Sequence, residues 1–261
     1  MSESFLLLHG WQNRRPPEHW QHWLAGELIK LGHSVDYPQL PDPDFPLLED
    51  WLAELRTRVA AMSGNRRTVL CHSLGCLLWL NAAARAEVPL QVDRVLLVAP
   101  PSPSITLSNP EIAGFAITAA VPGSSPLPAT PGPTPPTAAP GSARPAVAPG
   151  SAPPAVTPGS ARPAVAPGSA LPAVTPGSVL PTVTPAQLAA ASRYTRLVGT
   201  DNDPYFPDDI RKVFGTPLNL PTDVLPGAAH LNMHSGYGPW PSVLAWSIGP
   251  DATPIELRPT S

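Results

Sequence analysis

Val69-Leu70-Cys71-His72-Ser73-Leu74-Gly75 is the stretch on which the fold turns. Thr68–Cys71 reads as a short buried strand, and a helix over Leu74–Arg85 begins immediately after it. Ser73 stands at the joint. A strand running sharply into a helix is the setting of a nucleophile elbow, whose usual pattern is Gly-x-Ser-x-Gly. The turn exposes the serine hydroxyl and sets the backbone N–H of Leu74 at a helix N-terminus, where it can stabilise an oxyanion. Cys71 occupies the place of the first Gly, which weakens the motif. The competing reading is that Ser73 simply caps the helix.

Outward from this joint, strand and helix signals alternate. Phe5–Leu8, Val35–Tyr37, Val95–Val98, Thr195–Val198 and Val224-Leu225 read as further strands. Trp20, Trp23, Leu24, Leu28 and Leu31 recur at helical spacing, with Gly32 as a stop. Leu48, Trp51, Leu52, Leu55, Val59 and Met62 mark a second amphipathic helix, and Pro207–Phe214 and Pro239–Ile248 two more. The pattern predicts an α/β fold with a mostly parallel six-stranded sheet flanked by helices. In such sheets reactive groups gather beyond the carboxyl ends of the strands.

A serine nucleophile needs a base, and the base needs an orienting acid. Downstream of Ser73 stand only His230 and His234. His230 follows the strand at Val224-Leu225 and is the candidate base, while His234 is expected at the rim. The acid should follow the preceding strand, where Asp201 and Asp203 both qualify by position; either could instead be a turn residue. His9-Gly10-Trp11 follows the first strand. Gly10 lets the backbone come close, and the Trp11 N–H is the candidate second oxyanion donor. His19 and His22 lack a third ligand at metal-site spacing and are expected to be solvated helix residues. The His72 side chain is expected to point away from the base. Cys71 and Cys76 are read as small packing residues. No metal or other cofactor is implied, and no phosphate-binding glycine loop is present.

Composition divides the chain. Of 261 residues 40 are Pro, and 19 of these lie among the 64 residues from Pro122 to Pro185. That stretch has no aromatic or acidic residue, and its only charges are Arg144 and Arg162. It holds too little apolar surface to offset the entropy of ordering it. A nine-residue repeat, Pro-Gly-Ser-Ala/Val-x-Pro-Ala/Thr-Val-Ala/Thr, begins at Pro140, Pro149, Pro158, Pro167 and Pro176. Residues 122–185 are therefore expected to be a disordered low-complexity insert, with a polyproline-binding partner as the functional alternative. Residues 1–121 and 186–261 would form one domain. A net charge of −3 without a basic cluster excludes a nucleic-acid footprint. Neither a signal peptide nor a membrane span is legible, which makes a cytoplasmic protein the default.

Taken together, several segments resemble the small serine hydrolases that include retinoblastoma-binding protein 9. His9-Gly10-Trp11 with the run to Gln21 resembles their opening signature, and Cys71–Cys76 their nucleophile segment. Asp201-Asn202-Asp203-Pro204-Tyr205 resembles their acid segment, and His230-Leu231-Asn232 with Ser235–Pro241 their histidine segment. The resemblance implies a reduced α/β-hydrolase fold that cleaves a small acyl substrate (ester, thioester or amide). It implies Asp203, the Asp directly before Pro, as the acid. Ala229, where the family prefers Gly, is a departure, as is the insert, which falls in a crossover where larger α/β hydrolases commonly carry lids. The rival expectation is a non-catalytic binding module on a hydrolase scaffold.

Overall fold

Alternation within each strand builds two cores on opposite faces of one sheet. The computed structural model describes residues 3–86, 91–120 and 180–258, which fall within one compact unit. Its strands are β1 (Ser4–Leu8), β2 (Ser34–Asp36), β3 (Arg67–His72), β4 (Val92–Val98), β5 (Thr118–Ala119), β6 (Thr182–Val183), β7 (Ser192–Thr200) and β8 (Thr222–Leu225). Its α-helices are α1 (Trp20–Lys30), α2 (Leu48–Ala61), α3 (Leu74–Arg85), α4 (Pro103–Ser108), α5 (Pro185–Ala191) and α6 (Pro241–Ile248). The main sheet has the order β2-β1-β3-β4-β7-β8, and every pairing in it is parallel. This is the expected six-stranded α/β architecture.

Leu6, Leu8, Val69, Cys71, Val95 and Leu97 pack on the face that carries α2, α3 and α5. Phe5, Leu7, Leu70, Leu96 and Val98 pack on the other, under α1 and α6 with Trp20, Trp240 and Trp246. Both faces are covered, so the strands read as continuous apolar runs. Arg94 on β4, only 3% exposed, ties the sheet to the end of α6. Its guanidinium donates to the carbonyls of Trp246 (3.0 Å) and Ser247 (3.2 Å) in the last turn of α6 and of Gly249 (3.2 Å) just beyond it.

The chain leaves β1 through α1 on one face and reaches β3 through α2 on the other. The neighbouring strands β1 and β3 therefore form the switch point at which an open α/β sheet opens a crevice beyond its carboxyl ends. The His9-Gly10-Trp11 loop and Ser73 both lie there.

Two expectations are corrected. The segment Pro207–Phe214 is not an α-helix; a single π-helical turn spans Arg211–Gly215. The Asp209 carboxylate accepts the Arg211 N–H at 3.0 Å and holds the preceding residues in a turn. At the insert's far end, residues 180–185 belong to the fold. Val183 is buried in β6, which pairs in parallel with β5. Thr184 and Gln187 form a reciprocal capping box that starts α5, and Gln187 Nε2 donates to Ala84 O at 2.7 Å. The expectation of disorder falls otherwise on 122–179, outside the described residues.

Two deletions should therefore differ. Replacing 122–179 with a short Gly-Ser linker is expected to leave the melting temperature within a few degrees, because loop length enters stability only logarithmically. Removing 122–185 also deletes the α5 cap and the buried Val183. It is expected to cost about 2–4 kcal/mol more, read as a drop of several degrees by calorimetry. Equal melting temperatures for the two would contradict the assigned boundary.

Candidate active site

Ser73 is held in a backbone conformation that L-residues rarely adopt, φ 52° and ψ −122°. Such geometry costs about 1–3 kcal/mol and persists only when the surroundings enforce it. Here the Ser73 N–H donates to Val98 O, and Ser73 O accepts from Cys76 N–H, both at 2.9 Å. The Ser73 side chain makes no helix-capping hydrogen bond, so the cap reading does not describe it. Glycines on either side allow the close approach. A Cβ on Gly75 would lie 2.7 Å from Leu8 O, and one on Gly10 would lie 2.7 Å from the Ser73 Cβ. Cys71 and Cys76 are fully buried free thiols, as expected of packing residues.

Ser73, His230 and Asp203 come together from three strand ends. Ser73 Oγ lies 2.9 Å from His230 Nε2, and His230 Nδ1 lies 2.8 Å and 3.0 Å from the two Asp203 carboxylate oxygens. Asp203 is 4% and His230 7% exposed. Asp203 Oδ1 also accepts the Tyr205 N–H at 2.8 Å. The tyrosine ring stands 4.5 Å, centroid to centroid, from that of His230.

The other acidic candidate does something else. Asp201 accepts the Gly227 N–H at 2.7 Å, and the adjacent Asn202 side chain accepts the Ala229 N–H at 2.8 Å. Thr200 Oγ1 donates to Ala229 O at 2.7 Å. These three bonds staple the loop carrying His230 to the end of β7. The staple matters because Ala229 (φ 47°) and Leu231 (φ 51°) flank the histidine in left-handed conformations. Sequence reading missed Thr200 and Asn202, though both sit in the run that follows a strand end.

Trp11 is positioned by a second set of loop bonds. Its indole donates to Asp44 O at 3.0 Å, and the Gln12 N–H donates to Pro43 O at 2.8 Å. His9, wholly buried, meets Gly10 O through Nδ1 at 2.8 Å, while its Nε2 accepts the Leu40 N–H at 2.9 Å. These partners require the neutral tautomer with a proton on Nδ1. Trp11, Leu74 and Ser73 all border a cavity of about 370 Å³. Its apolar wall includes Pro101, Ile112, Tyr205 and Met233, and His234 lies on its border.

Two histidines differ from expectation. His19 is not solvated: it is 2% exposed, caps α1 by accepting the Gln21 N–H at 3.2 Å, and borders the cavity. His72 does not point away from His230: its Nε2 lies 3.1 Å from His230 O. The loop bearing His230 crosses over the end of β3 and brings its carbonyl to that ring. His22 is exposed, as expected. Among the described residues, no group of three or more His, Cys, Asp or Glu side chains is arranged to hold a metal ion. No helix there is long and apolar enough to cross a membrane.

Burial keeps these histidines neutral. His9 and His19 are each lowered to about 4, chiefly by desolvation, and His72 is pushed well below the usual value for the same reason. As pH falls through 6.5 the unfolded chain takes up protons that the folded chain refuses. The stability they contribute is therefore present above pH 6.5 and lost between about 6.5 and 4. Urea unfolding at stepped pH should show a loss of up to about 1.4 kcal/mol per pH unit for each group across that window. A flat profile from pH 7 to 4.5 would contradict their burial as neutral rings.

A family profile described as Serine hydrolase matches residues 5–129 and 161–246. YdeN of Bacillus subtilis, named as a hydrolase, is 31% identical over 98 residues, which are 38% of this chain and half of YdeN's length. The solved YdeN structure superposes with a TM-score of 0.59 at 16% identity, covering 93% of this chain and 95% of that one. A YdeN-like hydrolase of Pectobacterium atrosepticum gives 0.52 at 15% identity, over 93% and 87% of the two chains. These two likenesses establish the α/β-hydrolase fold. With a profile match over most of its length, the chain belongs to the serine hydrolase family and is an enzyme of the α/β-hydrolase type.

Proposed function

We propose that this serine hydrolase cleaves an ester, thioester or amide through a Ser73-His230-Asp203 triad and an acyl-enzyme. The observation that carries the reading is the unbroken chain of contacts at 2.9 Å and 2.8 Å from Ser73 Oγ through His230 to Asp203. His230 Nε2 takes the hydroxyl proton as Ser73 Oγ attacks the acyl carbon. Asp203 holds the Nδ1–H tautomer and stabilises the imidazolium that forms. The N–H groups of Leu74 and Trp11 receive the developing oxyanion, a contribution of about 3 kcal/mol per donor. His230 then gives its proton to the leaving group. Water, deprotonated by the same ring, releases the acid and restores Ser73.

The cavity of about 370 Å³ has room for a moderate acyl or alcohol group against its apolar wall. A panel of p-nitrophenyl esters of graded chain length tests the assignment. Turnover with a maximum at short to medium chains is expected. Absence of turnover on every ester, and on matching thioesters and anilides, with folded protein, would refute it.

A further inference from the structure

The cavity beside Ser73 has a polar side that the reaction above does not use. Asn13 and Arg14 border it from the loop after β1, and Asn232 from the loop that carries His230. Among the described residues, Arg14 is the only Lys, Arg, Asp or Glu on that border. The loop divides two neighbouring arginines. Arg15, at φ 54°, donates to Tyr37 O and stands over the Tyr37 ring, and it does not border the cavity. Arg14 does border it. One guanidinium nitrogen, Nη2, meets the Asp44 carboxylate, and the remaining donors have no acceptor among the described residues. The Arg14 and Asp44 side chains are 68% and 37% exposed. An ion pair this open contributes at most about 1 kcal/mol, so it steadies Arg14 without committing its charge.

Three further polar side chains on the border have used their acceptor atoms. Asn13 Oδ1 accepts the Arg15 N–H at 2.7 Å, and Asn232 Oδ1 the Ser235 N–H at 3.1 Å. The NH₂ group of each amide is left without an acceptor among the described residues. His19 Nδ1 accepts the Gln21 N–H, which places the proton of the neutral ring on Nε2, also without an acceptor there. A wall that offers one cation and spare donors, with no carboxylate, suits a ligand group that is negative and only accepts.

We propose that the substrate carries a carboxylate besides the acyl bond that is cut, and that Arg14 receives it. A carboxylate fits better than a phosphate dianion, because Arg14 is a single cation and Asp44 offsets part of its charge. The proposal rests on the Ser73 reaction above and adds the class of substrate which that reaction takes. Arg14 binds the carboxylate alike in the ground state and the transition state, so its contribution belongs in KM.

Two matched pairs of esters test it, with the charge on the acyl side in one and on the alcohol side in the other. The first is p-nitrophenyl hemiadipate against p-nitrophenyl hexanoate. The second is 4-hexanoyloxybenzoate against its methyl ester. In at least one pair kcat/KM should favour the anion about ten-fold, chiefly through KM. Added salt should narrow that preference, since the site is open to solvent. Arg14→Gln should bring the ratio close to unity, whereas Asp44→Asn, which frees the guanidinium, should raise it about two-fold. Equal rates for anion and neutral ester in both pairs, or a preference that survives Arg14→Gln, would overturn the proposal. Failure of the serine reading shows differently, as turnover of both members of a pair that persists in Ser73→Ala.

Discussion

Ser73→Ala is expected to lower kcat on p-nitrophenyl esters by about 10⁶-fold, with the fold retained. Three features make the loss this large. The hydroxyl is the only group of Ser73 that reaches His230 Nε2, at 2.9 Å. It makes no capping bond to α3, so its removal takes nothing from the helix. Ala faces the same positive φ as Ser and adds no bulk at the crowded contact with Gly10. Any residual rate would come from the oxyanion donors and binding alone, which in triad enzymes leave about 10³–10⁴ over water. Circular dichroism and melting temperature should match the wild type. A Ser73→Ala protein within ten-fold of wild-type kcat would remove Ser73 from the reaction.

Asp203→Asn should cost about 10⁴-fold in kcat, while Asp201→Asn should stay within ten-fold. Both Asp203 oxygens face His230 Nδ1 in a buried setting. An amide there can present its NH₂ to Nδ1 and favour the tautomer protonated on Nε2, which cannot take the Ser73 proton. Asp201 is exposed and accepts one backbone N–H, which the oxygen of Asn also accepts. Steady-state kinetics of the two variants separates a group that orients the base from one that ties down its loop. The opposite ranking would transfer the acid role to Asp201.

Much of this arrangement was legible because a few residues carry strong local signals. The helix expected over Leu74–Arg85 has those bounds, and the strand, Ser73 and helix joint has the predicted geometry. Position along the chain left Asp201 and Asp203 open, because both follow β7. What separates them is side-chain direction, which no spacing encodes; only the family resemblance pointed to Asp203. His72 was misjudged for a related reason: strand alternation gives the face of a side chain but not the loop that folds across the strand's end. His19 is expected on the solvated helix surface from sequence, because histidine is an uncommon N-cap and a helix surface is its usual place. The start of α5 was readable in principle. Thr184-Pro185-Ala186-Gln187 is a capping box with Pro at the first helical position. Composition drew it into the Pro-rich stretch, since a proline count cannot tell a helix start from a repeat.

The most direct test of the account is active-site labelling with a fluorophosphonate, followed by peptide mapping of the adduct. The triad reading predicts one adduct per chain, on the peptide containing Ser73, and none after Ser73→Ala. An adduct on another residue, or labelling that persists in Ser73→Ala, would contradict it.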